Sequence, residues 1–341
     1  MEKLLTIAIA AYNSQDYLPR CLDSLIVEGV MDKVEILVVN DGSTDNTYAI
    51  AQEYEKNYPG YFIAIDKPNG NYGSVMNAAI KRAKGKYFRT LDSDDWFNRD
   101  GYVEFVKQLE QTDADLVVTK RIVHKAVDNS ESIEEYDSKV ETNSDLPIEY
   151  VIDNLNTVIR HLIIMSICYR TDMIRSSGLK WSEGVFYTDM EFRFWPLHLV
   201  KKVRFVDAAL YVYFVGRDDQ SMSYTSLMKN FHSFDVVANK LVDRYIEIYN
   251  PQSPIDRIQH KYIIDALGHF YKNLIYEGEK NLKSFKVMEE KIKTIPGLYE
   301  EIGEKAVAKG VKYLKYYRNS SWHPVYRFLR CMSVLRNFLH K

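Results

Sequence analysis

Three aspartates at positions 92, 94 and 95 directly follow the apolar run 87–91. A strand that ends there cannot bury ionised carboxylates without partners, because removing an unpaired charge from water is very costly. A hard divalent cation is a suitable partner, since it prefers carboxylate oxygens as ligands. In an open α/β sheet it would lie in the crevice beyond the carboxyl ends of the strands, where it can reach a diphosphate. A solvated acidic turn is the alternative if this motif is taken alone.

The segment around this motif alternates between strand and helix patterns. Continuous apolar runs, the first over 4–10, are typical of strands that are covered on both faces. Apolar residues at helical spacing follow, first between positions 16 and 27. This repetition with short loops predicts an α/β fold with a mostly parallel sheet and right-handed crossovers. The expected strands are 4–10, 35–40, 61–66, 87–91 and 115–119, with two short strands at 203–206 and 210–215. The expected helices are 16–27, 46–58, 74–83 and 99–111.

Residues whose side chains could bind a ligand lie at or just after the ends of four of these strands. Ala10 and Tyr12 lie at the end of the first strand, Asp41 ends the second, Asn69 follows the third and Asp92 ends the fourth. Because the carboxyl ends of parallel strands share one edge of the sheet, these residues should converge on one cleft. A flat ring, a base acceptor, an amide and carboxylates together suit a nucleotide diphosphate. No GxGxxG follows the first strand and no GxxxxGK[ST] occurs, so the dinucleotide and P-loop types are disfavoured.

The composition excludes several classes of protein. The formal net charge of -2 gives no overall nucleic-acid signature, and 46% hydrophobic residues are ordinary for a globular chain. The three cysteines are far apart and lack CxxC spacing, which fits a reducing compartment. The N-terminus has no signal-peptide pattern, and no apolar run approaches the roughly 18 residues of a membrane span. We therefore expect a cytoplasmic protein that does not bind nucleic acid.

The second half of the chain changes in character. Residues 124–149 are acidic and irregular, which predicts a surface loop or hairpin. The sequence after 226 has a helical pattern with breaks at 250–254 and 295–297. From Lys305 to the end there are nine Lys or Arg residues interleaved with aromatic residues and no acidic residue. Such a basic amphipathic segment can lie on an anionic membrane surface, pack on its own domain, or form a dimer interface. We keep peripheral membrane contact and a homo-oligomer as open expectations.

At this level of detail the sequence resembles the family 2 inverting glycosyltransferases with the GT-A fold, of the bacterial surface-polysaccharide type. The resemblance is carried by six segments in order: TIAIAAYNSQDYLPRCLDSL, ILVVNDGSTDNT, KPNGNYGSVMNAAI, GKYFRTLDSDDWF, WSEGVFYTDMEF and YVYFVGRDDQSMS. It implies transfer of a sugar from a nucleotide sugar with inversion at the anomeric carbon. It also implies a divalent metal, Mn²⁺ or Mg²⁺, held by the Asp-x-Asp motif.

The resemblance assigns roles to individual residues. Asp189 would be the general base, although Thr188 stands where the family has Glu, and Glu191 is the alternative base. Many members carry an Arg at the position of Met76, so diphosphate neutralisation would fall to the metal, Lys67, Arg89 or Arg217. Asp94 would bind the metal, and the nucleotide sugar would contact Ala10, Tyr12, Asp41, Asn69, Asp92, Ser93, Arg217, Gln220 and Ser221.

The resulting hypothesis is an inverting glycosyltransferase that moves a sugar, expected to be UDP-linked, to a polysaccharide or lipid-linked hydroxyl. Residues 1–225 would form the catalytic domain, with the nucleotide-sugar part over 1–120 and the acceptor and base part over 150–225; 226–341 would be a helical region. The protein would work in the cytoplasm, peripherally at the inner membrane face. A nucleotidyltransferase is one alternative, but this sequence lacks the phosphate loop that such an enzyme ordinarily has after the first strand. A non-catalytic nucleotide-sugar-binding subunit is the other.

Overall fold

A computed structural model describes residues 3–216, 230–277 and 282–305, together with Leu314 and Arg318. The chain divides into two compact units, Met1–Gln220 and Ser221–Lys341. The domain boundary expected at 225 lies outside the described residues. The first unit holds the sheet, and the described residues of the second unit are helical.

A ten-stranded sheet forms the centre of the first unit. Its main path runs β3-β2-β1-β4-β9-β6-β10-β5, with β7 paired to β6 and β8 paired to β10. The four longest ladders, β1 with β2, β1 with β4, β2 with β3 and β6 with β10, are parallel, so the mostly parallel sheet is confirmed. The strands are β1 Lys3–Ala11, β2 Val34–Asp41, β3 Phe62–Lys67, β4 Gly85–Asp92, β5 Trp96–Phe97, β6 Leu116–Lys125, β7 Glu131–Ile133, β8 Asp145–Pro147, β9 Ile167–Arg170 and β10 Lys202–Val215.

Helices connect these strands and cover the sheet. The first four follow the expected helical segments, although the third begins at Asn71, three residues before its expected start. Pro19 lies in the first turn of the first helix, where its missing N–H leaves no hydrogen bond unmade. The helices of this unit are α1 Leu18–Leu25, α2 Thr47–Asn57, α3 Asn71–Arg82, α4 Arg99–Glu110, α5 Ile148–Asp153, α6 Leu155–Val158, α7 Thr171–Ser176 and α8 Asp189–Phe194.

The central strands are buried on both faces, which explains their uninterrupted apolar sequences. All eight residues of β2 are buried, and β1 is buried from Leu5 to Ile9. The register places Ala10 between Val39 of β2 and Asp92 of β4. The ends of these three strands are therefore immediate neighbours, as the sequence predicted, and they set up the site described below.

The part of the sheet from β9 to β5 departs in several places from the strands that the sequence predicts. The segments 203–206 and 210–215 form one strand, β10, whose register shifts against β6 near Ala209. β6 continues to Lys125, where the sequence suggested that the strand pattern ends earlier. The acidic segment 124–149 forms the predicted hairpin, since β7 pairs antiparallel with β6, and it also contains β8. β9 runs antiparallel between β4 and β6, which mixed sheets allow.

The second unit consists of helices in the residues that the structure describes. The predicted breaks at 250–254 and 295–297 are confirmed, because each lies between two helices. Arg318 is one of the nine C-terminal basic residues, and it pairs with the buried Glu289 at 2.8 Å. Among the described helices, none is long and apolar enough to cross a membrane. The helices are α9 Phe231–Ile248, α10 Asp256–Glu277, α11 Leu282–Lys293 and α12 Leu298–Lys305.

Candidate active site

The site lies at the carboxyl ends of β1, β2 and β4. Tyr12 follows β1 and is 53% exposed, more than any other aromatic residue of the described chain. Asn13, in the left-handed backbone region at φ 45°, accepts a hydrogen bond from the Thr44 amide at 2.9 Å. The Asn13 amide in turn donates to the Ser43 hydroxyl at 3.0 Å. These bonds join the loops after β1 and β2, so the Tyr12 ring is presented to solvent from a fixed backbone.

An acidic loop follows β4. Carboxylate oxygens of Asp92, Asp94 and Asp95 lie within 4.8 Å of one another. Asp92 and Asp94 are partly exposed, whereas Asp95 is buried, and Ser93 between them is also buried. Three oxygens at this spacing match the donor set of a hard divalent ion, so the residues fit Mn²⁺ or Mg²⁺.

Asp95 faces the interior and anchors the loop to β10. Its carboxylate accepts from the Tyr211 hydroxyl at 2.7 Å and from the Phe214 amide at 2.8 Å. The Tyr211 oxygen also accepts from the Asp92 amide at 3.2 Å. Asp95 therefore fixes the loop, and Asp92 and Asp94 are the carboxylates that remain at the surface for a ligand.

The electrostatics of the loop favour a bound cation. Burial, together with the negative charges of Asp94 and Asp189, raises the pKa of Asp92 to about 7. Burial and the negative charges of Asp94 and Asp92 raise the pKa of Asp95 well above its usual range. A divalent cation reverses this repulsion by pairing with several carboxylates at once.

Asp41, at the end of β2, forms an ion pair with Lys67. The two charges are 2.6 Å apart, and the side chains are 5% and 19% exposed. The Gly70 amide donates to the same carboxylate at 3.0 Å, and the Asn69 side chain donates to the Asp41 carbonyl at 2.9 Å. Asp41 and Asn69 are thus brought together, as the sequence predicted.

Lys67 and Arg89 were both candidates for neutralising a diphosphate, and the structure does not support either. Lys67 donates to Asp41, to the Pro68 carbonyl and to the Ser74 hydroxyl, which uses all three hydrogens of the ammonium. Arg89 is fully buried and donates to the Thr119 hydroxyl and to two carbonyls of the 165–166 turn. Its guanidinium also lies 5.4 Å and 5.2 Å from the Phe97 and Phe105 rings. Both cations are occupied inside the protein.

Asp189 begins the short helix α8 and is partly exposed. Its charge acts on Asp92 and on the buried Tyr72 hydroxyl, whose pKa is raised well above its usual range by burial and by the charges of Asp92 and Asp189. Asp189 therefore lies close enough to Asp92 and Tyr72 for its charge to act on both. Tyr187, two residues before Asp189, has φ 63°, which is unusual for an aromatic residue and is often found at functional sites.

Glu191, the alternative base, is 0% exposed. Its Oε2 accepts from the Ser182 amide at 3.0 Å. A fully buried carboxylate is poorly placed to take a proton from an incoming hydroxyl, because the two groups must come within hydrogen-bond reach. The geometry favours Asp189 over Glu191 for contact with an acceptor.

Three residues near the carboxylates did not stand out in the sequence. Tyr72 and Tyr211 are ordinary aromatic positions of a helix and a strand, and nothing in the text distinguishes them from core residues. Arg20 donates to the Asp94 carbonyl at 2.9 Å, and its guanidinium lies 3.8 Å from the centre of the Trp96 ring. A single Arg on an amphipathic helix gives no sequence signal for such a contact. Arg217, Gln220 and Ser221 lie outside the described residues.

Solved structures identify the structural class. S. aureus TarS residues 1–349, solved in complex with UDP-GlcNAc, matches with a TM-score of 0.64 at 17% identity, over 94% of this chain and 93% of that one. A mannosyltransferase from Pyrobaculum calidifontis, solved with GDP-Man and Mn²⁺, gives 0.54 at 14% identity, over 98% of this chain and 85% of that one. The fold is the GT-A type, a Rossmann-like α/β fold, as the resemblance implied.

Sequence comparison then gives the family. The family described as Glycosyl transferase family 2 matches residues 6–175, about half of the chain. EpsH of Bacillus subtilis strain 168, which carries a glycosyltransferase name, is 32% identical over 213 residues, covering 61% of this chain and 60% of that protein. The chain belongs to glycosyltransferase family 2, a family of enzymes that transfer sugars. The match covers less than two thirds of the length of EpsH and of the other relatives that are at least 32% identical to this chain.

Proposed function

We propose that this protein transfers a sugar from a UDP-sugar to an acceptor hydroxyl with inversion at the anomeric carbon. One observation carries the proposal: the carboxylates whose spacing fits a divalent metal lie close enough to a separate carboxylate, Asp189, for its charge to act on Asp92. A transferase of this kind needs both, because the leaving diphosphate must be neutralised while the acceptor loses a proton.

The donor nucleotide binds over the ends of β1, β2 and β3. The exposed Tyr12 ring stacks on the base, and Asp41 accepts the imino proton of a uracil. Lys67 and the Gly70 amide hold the Asp41 carboxylate in place, and Asn69 fixes its backbone. The remaining contacts of the nucleotide sugar are with Ala10, Asp92, Ser93, Arg217, Gln220 and Ser221. UDP-GlcNAc bound to TarS, a protein of the same fold, supports the choice of a UDP-sugar.

Asp94, with Asp92 beside it, holds Mn²⁺ or Mg²⁺. A bound divalent ion supplies charge for the oxygens of the leaving diphosphate. The mannosyltransferase solved with GDP-Man and Mn²⁺ supports this assignment, and the close spacing of the carboxylates in the present chain fits it. The Asp95 side chain keeps the loop in place from the interior.

Asp189 is the general base. Its carboxylate takes the proton of the acceptor hydroxyl while that oxygen forms a bond to the anomeric carbon. The bond from this carbon to the diphosphate oxygen breaks in the same displacement, and its electron pair leaves with the nucleoside diphosphate. A single in-line displacement inverts the configuration and needs no covalent enzyme intermediate. General-base assistance of this kind contributes roughly 10²- to 10⁴-fold to the rate.

The acceptor is a hydroxyl of a growing polysaccharide or of a lipid-linked glycan at the inner face of the cell membrane. The family to which the chain belongs, whose members transfer sugars, supports an acceptor of this kind. Basic residues after Lys305 would bring the enzyme to an anionic lipid surface, and a homo-oligomer remains part of the proposal.

Replacement of Asp189 by asparagine tests the proposal. Asp189→Asn should bind UDP with unchanged affinity and lose at least 100-fold in sugar transfer, because the amide cannot take a proton. Asp100→Asn is the matched control, since Asp100 also lies in the first turn of a helix and is exposed. Near wild-type turnover in Asp189→Asn would refute the base assignment. Donor binding without transfer to any of several glycan acceptors by the wild type would favour a non-catalytic binding subunit.

A further inference from the structure

We propose that Asn77 and Glu191 are positioning residues that hold the segment 181–184 and, through it, the base Asp189. The inference rests on the proposed function, because it assumes that Asp189 is the base. Three sets of contacts, from α3 to the segment and from the segment to α8, carry it.

Asn77 of α3 makes a two-point contact with the backbone of Trp181. Its Nδ2 donates to the Trp181 carbonyl at 3.0 Å, and its Oδ1 accepts from the Trp181 amide at 2.9 Å. Nδ2 also donates to the Glu183 carboxylate at 2.8 Å. The Asn77 side chain replaces the hydrogen bonds that a neighbouring strand would make, so the segment is held to α3 although no strand pairs with it. Few side chains other than Asn offer a donor and an acceptor at this length.

The segment also approaches α3 unusually closely. A Cβ placed on Gly73 would lie 1.9 Å from the Ser182 carbonyl oxygen, so a side chain there has no room. One turn earlier, the Gly70 carbonyl accepts from the Gly184 amide at 2.8 Å. Gly70, Gly73 and Asn77 therefore present one continuous surface of α3 and its N-terminus to the segment. This contact sets the distance between the segment 181–184 and α3.

Glu191 connects the same segment to the base. Its Oε2 accepts from the Ser182 amide at 3.0 Å, and it lies on α8, the helix that Asp189 begins. Phe192, the next residue, is fully buried with its ring 5.6 Å from Trp181 and 5.3 Å from Tyr169. Glu191 and Phe192, in the middle of the six-residue helix α8, thus hold this helix by a hydrogen bond and a buried ring. Because Asp189 begins the same helix, these contacts support its position.

The residue types fit positioning better than packing alone. A carboxylate that is 0% exposed is costly to bury, and an apolar residue of similar size would be expected if filling space were its whole role. Glu191 Oε2 accepts a hydrogen bond from the Ser182 amide, which lies in the segment that Asn77 binds. Misplacing a catalytic group by about 1 Å can lower the rate roughly 100-fold, so a short relay of this kind matters for turnover.

The test compares Asn77→Ala, Glu191→Gln and Glu191→Leu by sugar transfer, UDP binding and thermal unfolding. We expect Asn77→Ala to lower kcat by roughly 10- to 100-fold, with the dissociation constant of UDP within twofold of wild type. Glu191→Gln keeps an acceptor for the Ser182 amide and should retain at least a third of kcat, whereas Glu191→Leu should lose kcat as Asn77→Ala does. Asn57→Ala, at the exposed end of α2, is the control.

Each outcome separates positioning from the other roles. If Glu191→Gln loses as much activity as Glu191→Leu, the carboxylate itself is required and the positioning role of Glu191 is wrong. If Asn77→Ala keeps full kcat while remaining folded, the relay from α3 is wrong. If Asp189→Asn keeps full activity, the proposed base fails, whatever the outcome at Asn77. A Glu191→Leu protein that does not fold leaves Asn77→Ala and Glu191→Gln to decide.

Discussion

Replacing Lys67 by methionine should destabilise the first unit by about 2 to 3 kcal/mol. The substitution keeps most of the aliphatic stem but removes the ammonium, which donates to Asp41, to the Pro68 carbonyl and to Ser74. Breaking a buried ion pair from one side typically costs about 3 to 5 kcal/mol. The Lys67 side chain is 19% exposed, and the Gly70 amide still donates to Asp41, so the lower value is expected.

Equilibrium unfolding in urea, followed by tryptophan fluorescence, measures this loss. For a unit of this size it corresponds to a fall in Tm of roughly 5 to 10 °C. Lys56→Met, at the exposed end of α2, is the control and should leave Tm unchanged. Adding Asp41→Asn to Lys67→Met should recover about 1 kcal/mol or more, because it removes the carboxylate left without its cation.

Ligand binding separates this role from contact with a diphosphate. Because all three hydrogens of the ammonium are used inside the protein, Lys67→Met should change the dissociation constants of UDP and uridine by the same factor. A change in stability below about 0.5 kcal/mol, together with a loss of UDP affinity that uridine does not share, would refute the reasoning. It would mean that Lys67 leaves Asp41 to bind the diphosphate.

Two further predictions concern Gly73 and His161. Gly73→Ala should lower kcat by roughly 100-fold in a transfer assay although alanine favours a helix, because its Cβ would lie 1.9 Å from the Ser182 oxygen; unchanged kcat would contradict this. Burial, with the charge of Arg160, lowers the pKa of His161 to about 4, so the unfolded chain binds its proton first as the pH falls. Stability should drop by roughly 2 to 3 kcal/mol between pH 7 and 4.5 in urea titrations, and His161→Gln should lack that part of the drop.

Strands β1, β2 and β4 could be predicted from the sequence because they are mostly buried on both faces. Such strands appear as continuous apolar runs, and their parallel order follows from the helices between them. The part of the sheet from β9 to β5 could not be predicted in the same way. β9 is four residues long and its pairing depends on contacts far along the chain, while the two apolar runs of β10 are separated by a bulge at Ala209.

The positions of the acidic site residues could also be predicted, because strand ends fix the backbone. Asp41, Asp92 and Asp94 follow the strands that β1 joins, so their common edge follows from topology alone. The roles of cations could not, because a Lys or Arg has a long side chain whose partners depend on tertiary contacts. Lys67 turns to Asp41, and Arg89 turns to carbonyls of a distant turn.

The difference between Asp189 and Glu191 shows a further limit. Both carboxylates lie in one short motif, and sequence spacing alone leaves either as the base. On α8 they are two residues apart and so project to different sides of the helix. One is therefore partly exposed towards the cleft, and the other is fully buried against the segment 181–184.

Calorimetric titration of UDP into the protein, with and without Mn²⁺, tests the central claim most directly. The wild type should bind UDP at least tenfold more tightly with Mn²⁺, and Asp94→Ala should lose this gain while Asp100→Ala keeps it. That result would tie donor binding to a metal held by the acidic loop. Equal UDP affinity with and without Mn²⁺, unchanged in Asp94→Ala, would contradict the account.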